Sequence, residues 1–295
     1  MFSKSFKKGD FKMQDNLISG REIAGVIKSK LKDELLDLKV AGKRQPSLSV
    51  ILVGEDPASQ VYVSNKHRIC DEIGIKSEMY LLDKNVDKLE LFELIDKLNA
   101  DDNVDGILVQ LPLPKHIPEQ EVINRINPLK DVDCFHPENV GLLFSGNPRF
   151  LPCTPAGIME MLKYKNVELS GKNAVVVGRS NIVGKPVAVL LLQNNCTVTI
   201  CHSKTKDLAE YTKKADILVV AIGADNFIKV EMVKAGAIVI DVGMNRVDGK
   251  LFGDVDFEDV SAKAGMITPV PGGVGLMTTA MLMVNTLAAY RLHKN

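Results

Sequence analysis

Apolar residues recur along this chain with two periods, and the switches between them lay out a fold. Ile23, Ile27, Leu31, Leu35 and Leu38 fall at helical spacing behind Ser19-Gly-Arg-Glu22. That is a capping-box sequence before an amphipathic helix. Leu48 to Val53 is an unbroken apolar run closed by Gly54, the pattern of a buried strand. Ala58 to Ile73 reads as a helix ended by Gly74, and Asp87 to Asn99 as a second amphipathic helix. Gly106-Ile-Leu-Val-Gln110 reads as a strand stopped by Pro112 and Pro114, which cannot join a ladder. Strands alternating with helices predict a parallel sheet covered on both faces.

A proline-rich stretch around Pro148, Pro152 and Pro155 marks a boundary. Thr154 is expected to cap the next helix, with Pro155 in its first turn. Strands are then predicted at Asn173–Val177, Thr197–Cys201, Asp216–Ile222, Ala237–Val242 and near Met266–Val270, with helices between most of them. That is a doubly wound dinucleotide domain. Val274 to Leu292 is long and apolar on most sides, so it is a buried helix that packs back on the first domain. The fold class is therefore α/β with two domains. Residues 14–150 plus 276–295 form an α/β catalytic domain with a parallel sheet, and residues 151–275 form a Rossmann-like doubly wound domain. Residues 1–13 read as a disordered leader.

Composition changes this picture little. Thirty-seven basic residues balance thirty-seven acidic ones, so no global field favours nucleic acid or an anionic membrane. No apolar run approaches the roughly 20 residues that span a bilayer. The leader lacks the apolar core of a secretory signal. Five cysteines, none in C-x-x-C, fit reduced thiols in a cytoplasmic compartment. The five histidines show no metal-binding spacing, and no metal is expected.

The chemistry begins at Asn173-Ala-Val-Val-Val-Gly178-Arg179-Ser180-Asn181-Ile-Val-Gly184-Lys185-Pro186. A β-branched run stops at a glycine, a polar turn follows, and a proline is placed to open a helix. Free amides at a helix start attract phosphate. The second glycine falls six residues after the first, so this is not G-x-G-x-x-G. Nor is it a P-loop, because Pro186 stands where Ser or Thr would bind magnesium. A dinucleotide is favoured over a triphosphate. The second strand of this half ends at Cys201-His202-Ser203-Lys204 with no carboxylate to hold a ribose hydroxyl. With Arg179 in the first turn and Ser203 here, NADP is favoured over NAD. Pro269-Val-Pro271-Gly272-Gly273-Val274-Gly275 lets backbone approach a ligand closely.

In the first domain, Ser59, Tyr62 and Lys66 share one helix face. Gln110 ends an apolar strand, and Asp131-Val-Asp133 follows in a loop. Lys66 alone reads as a solvated helix lysine. Together these residues describe a pocket with an amine, an amide, a phenol and a carboxylate. A Tyr-x-x-x-Lys also occurs in short-chain dehydrogenases, but there it lies inside the cofactor domain. Here it precedes that domain.

These segments, in this order, resemble bifunctional methylenetetrahydrofolate dehydrogenase/methenyltetrahydrofolate cyclohydrolase. They are Tyr62-Val-Ser-Asn-Lys66, Val109-Gln-Leu-Pro-Leu-Pro114, Asp131-Val-Asp133, Val177-Gly-Arg-Ser-Asn-Ile-Val-Gly184 and Pro271-Gly-Gly-Val-Gly-Leu-Met-Thr278. The resemblance runs from about Leu17 to the C-terminus. It implies oxidation of 5,10-methylenetetrahydrofolate with NADP+, then hydrolysis to 10-formyltetrahydrofolate. It implies Lys66 as the acid–base residue, Gln110 as its tuning partner and Tyr62 packed on the folate. It implies Asp133 on the pterin, with Ser59, Pro271, Gly272 and Gly273 also on the substrate. Gly178, Arg179, Ser180, Ser203, Met244 and Gly275 would hold the cofactor, Arg179 and Ser203 at its 2′-phosphate. A cytoplasmic homodimer, joined through the cofactor domain, is implied too. A monofunctional relative and a catalytically dead NADP-binding regulator are the rival readings. Three positions depart from the family pattern. Leu276 stands where proline is usual, Cys134 where glycine is usual, and Met244 where isoleucine is usual.

Overall fold

The computed structural model describes residues 16–293; the leader lies outside the described residues, as do the side chains of Pro57, Ala58 and Tyr62. The first sheet has three parallel strands: β1 (Ser47–Val53) in the centre, with β2 (Lys76–Leu82) and β3 (Gly106–Val109) on either side. Every residue of β1 and β3 is buried. Helices α1 (Gly20–Val40), α2 (Pro57–Ile73), α3 (Lys88–Ala100), α4 (Glu119–Arg125) and α5 (Pro137–Phe144) belong to this half of the chain. The edge strand β2 is absent from the sequence expectations for a physical reason. With one neighbour and an exposed face it has no continuous apolar run.

The second sheet has five parallel strands in the order β10-β7-β6-β4-β5. These are β4 (Asn173–Val177), β5 (Thr197–Cys201), β6 (Ile217–Val220), β7 (Ile238–Asp241) and β10 (Met266–Ile267). The chain starts in the middle at β4, moves out to β5, then crosses back to β6. The order therefore reverses between β4 and β6, where an open α/β sheet leaves its binding crevice. Helices α6 (Cys153–Tyr164), α7 (Gly184–Gln193), α8 (Leu208–Thr212) and α9 (Phe257–Ser261) accompany it, and α10 (Val274–His293) ends the described chain. A short antiparallel hairpin, β8 (Asn245–Val247) and β9 (Lys250–Phe252), follows β7. Its turn, Asp248-Gly249, has positive φ at both residues, the geometry that Asp-Gly favours. Leu17 pairs in parallel with Ile267, so the segment before α1 extends the second sheet.

Three helices serve both hydrophobic cores. Leu31 and Leu35 of α1, Cys153 and Ala156 of α6, and Leu282, Leu287 and Tyr290 of α10 pack with Leu48, Val50 and Leu52 of the first sheet. Ile23 and Ala24 of α1, Ile158 and Met161 of α6, and Val274, Met277 and Ala280 of α10 pack with Val176, Ile217 and Val219 of the second. The terminal helix thus packs on the first domain and also completes the second core. It crosses α6 where Gly157 faces Met277; a Cβ there would lie 2.6 Å from the Met277 Cβ.

Two expectations need correction. Thr154 is not the cap of α6; Pro152 holds that position, and Thr154 inside the first turn shares a 2.9 Å hydrogen bond with Thr278. Proline already stops the chain from continuing upstream as helix, so the cap position moves to it. The capping box of α1 is half formed. Ser19 accepts from the Glu22 N–H (3.3 Å), while the Glu22 carboxylate takes the Tyr164 hydroxyl (2.7 Å) instead.

Paired glycine replacements test the shared-helix packing. Gly157→Ala overpacks the α6–α10 crossing and is expected to destabilise by about 1–3 kcal/mol. Gly25→Ala, on α1 with nothing near its new methyl group, is expected to stabilise by about 0.5–1 kcal/mol. Urea unfolding midpoints at unchanged m-value measure both. Equal effects would remove the argument.

Candidate active site

Helix α2 begins at Asp56, whose carboxylate accepts from the Ser59 N–H (2.8 Å) with Pro57 at the first position. Ser59 is buried in that first turn. Seven residues on, Lys66 lies on the same face and reaches the end of β3. Its Nζ donates to Gln110 Oε1 at 2.9 Å. Gln110 Nε2 donates to the Leu111 carbonyl (2.7 Å), and the Gln110 N–H to the Ile51 carbonyl (2.9 Å). The amide is thus held at three points, with its acceptor end toward Lys66. Tyr62 is placed on α2 between Ser59 and Lys66, and its side chain lies outside the described residues.

Asp133 completes this cluster from the loop between α4 and α5. Burial pushes its carboxyl up to about 6, while the nearby Lys66 ammonium pulls the other way. The loop is shaped by Asp131, which accepts from the Phe135 and His136 N–H groups (3.2 and 2.8 Å) and from Asn139 Nδ2 (2.8 Å). Asn285 of α10 fixes it from behind, donating to the Val132 and Leu151 carbonyls at 2.8 and 2.9 Å. Cys134 has φ 62°, a left-handed conformation that costs a non-glycine residue about 1–2 kcal/mol. Its thiol is buried and donates to the Phe150 carbonyl (3.3 Å), which offsets part of that strain.

The turn after β4 sits at the reversal of the second sheet. Gly178 has φ 130°, and a Cβ there would lie 2.3 Å from the Ala221 carbonyl oxygen at the end of β6. A Cβ on Gly184 would lie equally close, 2.3 Å, to the Gly178 carbonyl oxygen. The turn is therefore closed to any side chain at both glycines. One expectation fails here. The amides at the start of α7 are not open to an anion. Ser180 Oγ accepts from the Val183 and Gly184 N–H groups (3.1 and 3.2 Å), and the Ser180 carbonyl accepts from Lys185 (3.0 Å). The long spacing between the glycines makes room for this internal cap. Arg179 is exposed beside it, and Ser203 and Lys204 are exposed in the turn after β5.

A cleft of ≈ 400 Å³ opens where α1, α2, the 269–275 loop and α10 meet. Pro271, Gly272 and Gly273 line it, with Met244, Gly275 and Leu276. Arg21 and Asn65 contribute from α1 and α2. The expected cofactor residues therefore divide. Gly178, Arg179, Ser180 and Ser203 lie around the β4–α7 turn, whereas Met244 and Gly275 line the cleft. Leu276 donates its N–H to the Gly273 carbonyl (3.2 Å), a bond that proline could not make.

Two buried carboxylates of the second domain escaped the sequence reading. Asp241, closing β7, accepts from the Gly243, Asp254 and Val255 N–H groups at 2.9, 2.9 and 3.0 Å. Burial and the Asp254 charge raise its carboxyl to about 6. Asp254 accepts from the Ile222, Gly223 and Ala224 N–H groups (2.7, 3.1 and 2.9 Å) and from Asn245 Nδ2 (2.9 Å). The signal for Asp241 was the one that revealed Gln110, a polar residue ending an apolar strand.

Comparison with known proteins agrees across the whole described chain. Residues 18–133 match the tetrahydrofolate dehydrogenase/cyclohydrolase catalytic domain, and residues 152–294 match the NAD(P)-binding domain of the same family. The chain is 58% identical over 281 residues to the bifunctional protein FolD of Acetivibrio thermocellus, covering 95% of this chain and 98% of that protein. It is 59% identical over 275 residues to the FolD protein of Lactococcus lactis subsp. cremoris, covering 93% and 96%. The crystal structure of the bifunctional enzyme FolD from Campylobacter jejuni superposes with a TM-score of 0.92 at 52% identity, covering 94% of this chain and 98% of that one. The Trypanosoma brucei enzyme, solved with NADP cofactor and an inhibitor, gives 0.90 at 40% identity, covering 94% and 97%. The chain belongs to the tetrahydrofolate dehydrogenase/cyclohydrolase family.

Proposed function

We propose that this protein oxidises 5,10-methylenetetrahydrofolate to 5,10-methenyltetrahydrofolate with NADP+ and then hydrolyses the product to 10-formyltetrahydrofolate. The observation that carries this reading is Lys66 Nζ held 2.9 Å from Gln110 Oε1 beside Asp133, in a chain matched by both domains of the family.

The residues suit the cofactor. The β4–α7 turn is shaped by two glycines where side chains would collide. Arg179 stands in the turn after β4, and Ser203 and Lys204 follow β5, where a carboxylate would repel a 2′-phosphate. Gly178 and Ser180 would hold the diphosphate side, and Met244 and Gly275 the cleft side. Bound there, NADP+ supplies the hydride acceptor. The chain's own part in that step is positioning of the folate methylene carbon, by Asp133 on the pterin and by Tyr62, Ser59 and the Pro271-Gly272-Gly273 loop around it.

Hydrolysis falls to Lys66. Gln110 presents only its acceptor to Nζ, because Nε2 is committed to the Leu111 carbonyl. One amine hydrogen is therefore held, which leaves the remaining positions on Nζ for the substrate and water. A methenyl cation beside Nζ disfavours an ammonium there, so in the proposed step the Lys66 proton passes to solvent water as that cation forms. The neutral amine then takes a proton from the attacking water and returns it as the ring opens.

The same reading places the protein in the cytoplasm, in one-carbon metabolism that supplies purine and amino-acid biosynthesis. Among the described residues no helix is long and apolar enough to cross a membrane. It also makes the protein a homodimer through its cofactor domain. In support, β5 is an edge strand with Ile200 exposed, and Leu192 and Tyr211 are exposed nearby in sequence.

Purified protein given methylenetetrahydrofolate and NADP+ is expected to produce NADPH with only transient methenyltetrahydrofolate. No NADPH would sink the oxidation, and methenyltetrahydrofolate decaying no faster than in buffer would sink the hydrolysis. Lys66→Met is expected to abolish hydrolysis while NADPH still binds. Arg179→Ala is expected to raise the Kd for NADP by on the order of ten-fold, the loss of a charge-assisted contact, and to leave NAD nearly unchanged. Equal losses for both would remove the 2′-phosphate argument. The Asp133 carboxyl, raised to about 6, is neutral below that pH and anionic above it. Its charge-assisted bonds to pterin N–H groups are therefore present above pH 6 and lost below. The folate KM should climb as pH falls through about 6, and Asp133→Asn should flatten that profile.

A further inference from the structure

The deepest polar group near the sheet reversal is Asp254. It is fully buried, and no cation pairs with it among the described residues. Four N–H donors satisfy it instead. Three come from consecutive residues after β6, Ile222, Gly223 and Ala224, at 2.7–3.1 Å, and the fourth from Asn245 at 2.9 Å. The β8–β9 hairpin delivers this carboxylate. Gly253 lets the returning chain pass Asp241, where a Cβ would lie 1.8 Å from Asp241 Oδ2.

In a trans peptide the N–H and C=O point in opposite directions. Turning three successive N–H groups onto Asp254 therefore turns the carbonyls of Ala221, Ile222 and Gly223 away from it. Ala221 confirms the direction, since its oxygen faces Gly178 across the β4/β6 reversal. None of these three carbonyls accepts a hydrogen bond from the described residues. Ala221 and Ile222 are half-buried and Gly223 is exposed, so these acceptors are open to partners outside the chain. A row of them at a switch-point crevice is a site for donors.

We propose that Asp254 is a positioning residue for the cofactor, holding the 222–224 amides so that the Ala221, Ile222 and Gly223 carbonyls line the crevice as acceptors for a dinucleotide's amide and hydroxyl groups. This rests on the cofactor reading above and deepens it. The β6 wall offers only acceptors and disfavours anions. The phosphates therefore belong to the side with Arg179, and the uncharged amide-bearing end to the side with Gly223. Crevice polarity is set by a residue that need not touch the ligand.

The test is Asp254→Asn, which has the same shape but sets an N–H donor against one of the backbone N–H groups. NADPH binding is followed by fluorescence titration, and hydrolysis of supplied methenyltetrahydrofolate is followed without cofactor. The Kd for NADPH should rise by on the order of ten-fold, the scale of a hydrogen bond to a charged group. Hydrolysis at Lys66 should stay within about two-fold. An unchanged Kd, or loss of hydrolysis in the same proportion, would overturn the proposal. Should that variant not fold, Asn245→Ala removes one of the four donors and should raise the NADPH Kd by roughly two- to five-fold; no rise would overturn it equally. Wild-type protein that binds no NADPH would defeat the functional reading and this inference with it. Wild-type binding with an indifferent Asp254→Asn variant defeats the inference alone.

Discussion

The architecture depends on three helices that belong to two cores at once. Helices α1, α6 and α10 each bury one end against the first sheet and the other against the second. Neither sheet can close its hydrophobic face without them, so neither domain is complete alone. The ≈ 400 Å³ cleft is a product of this arrangement, since its walls are α1, α2, the 269–275 loop and the start of α10. Burying two ends of one helix in separate cores couples the position of the cofactor crevice to that of Lys66. Tight crossings such as Gly157 on Met277 hold that coupling, because close-packed interiors resist small changes in spacing.

A second device recurs at the strand ends. Asp241 and Asp254 are buried and each collects N–H groups from a loop that follows a parallel strand, and buried Asp131 does the same for the loop between α4 and α5. Loops over the carboxyl ends of strands must leave the ladder and so lose partners for their amides. A buried carboxylate can take several at once, and those bonds also offset its own desolvation. At Asp133 the balance differs. It lies near Lys66, and burial leaves its carboxyl near 6.

Much of this was legible in the sequence where periodicity is strong. The buried strands β1, β3 and β4, the edge strand β5, helix α2 with its Gly74 terminus, and the two-domain division follow from apolar or β-branched runs and their stops. Gln110 could be singled out because it ends an apolar strand, and Lys66 because it shares a helix face with Ser59 and Tyr62. What stayed hidden depends on partners distant in sequence. The edge strand β2 is defined by pairing with β1 and not by its own hydrophobicity. The cap role of Ser180 arises because the turn folds back on itself, and spacing alone suggested open amides there. Asp254 looks like a surface loop residue until the hairpin returns it beneath β6. The Asp248-Gly249 turn was readable in principle, since that dipeptide favours the geometry found.

The two proposed steps use one folate but different walls, and this explains how one chain can hold both. Oxidation needs the folate carbon against a cofactor seated between Arg179 and the β6 carbonyls, so it depends on crevice shape. Hydrolysis needs only Lys66, Gln110 and a water, all within the first domain. The methenyl cation links them, because the charge created by the first step is what weakens the proton on Lys66 for the second. A neutral methylene folate carries no such charge, so on this proposal the base is called on only when the product of oxidation is present.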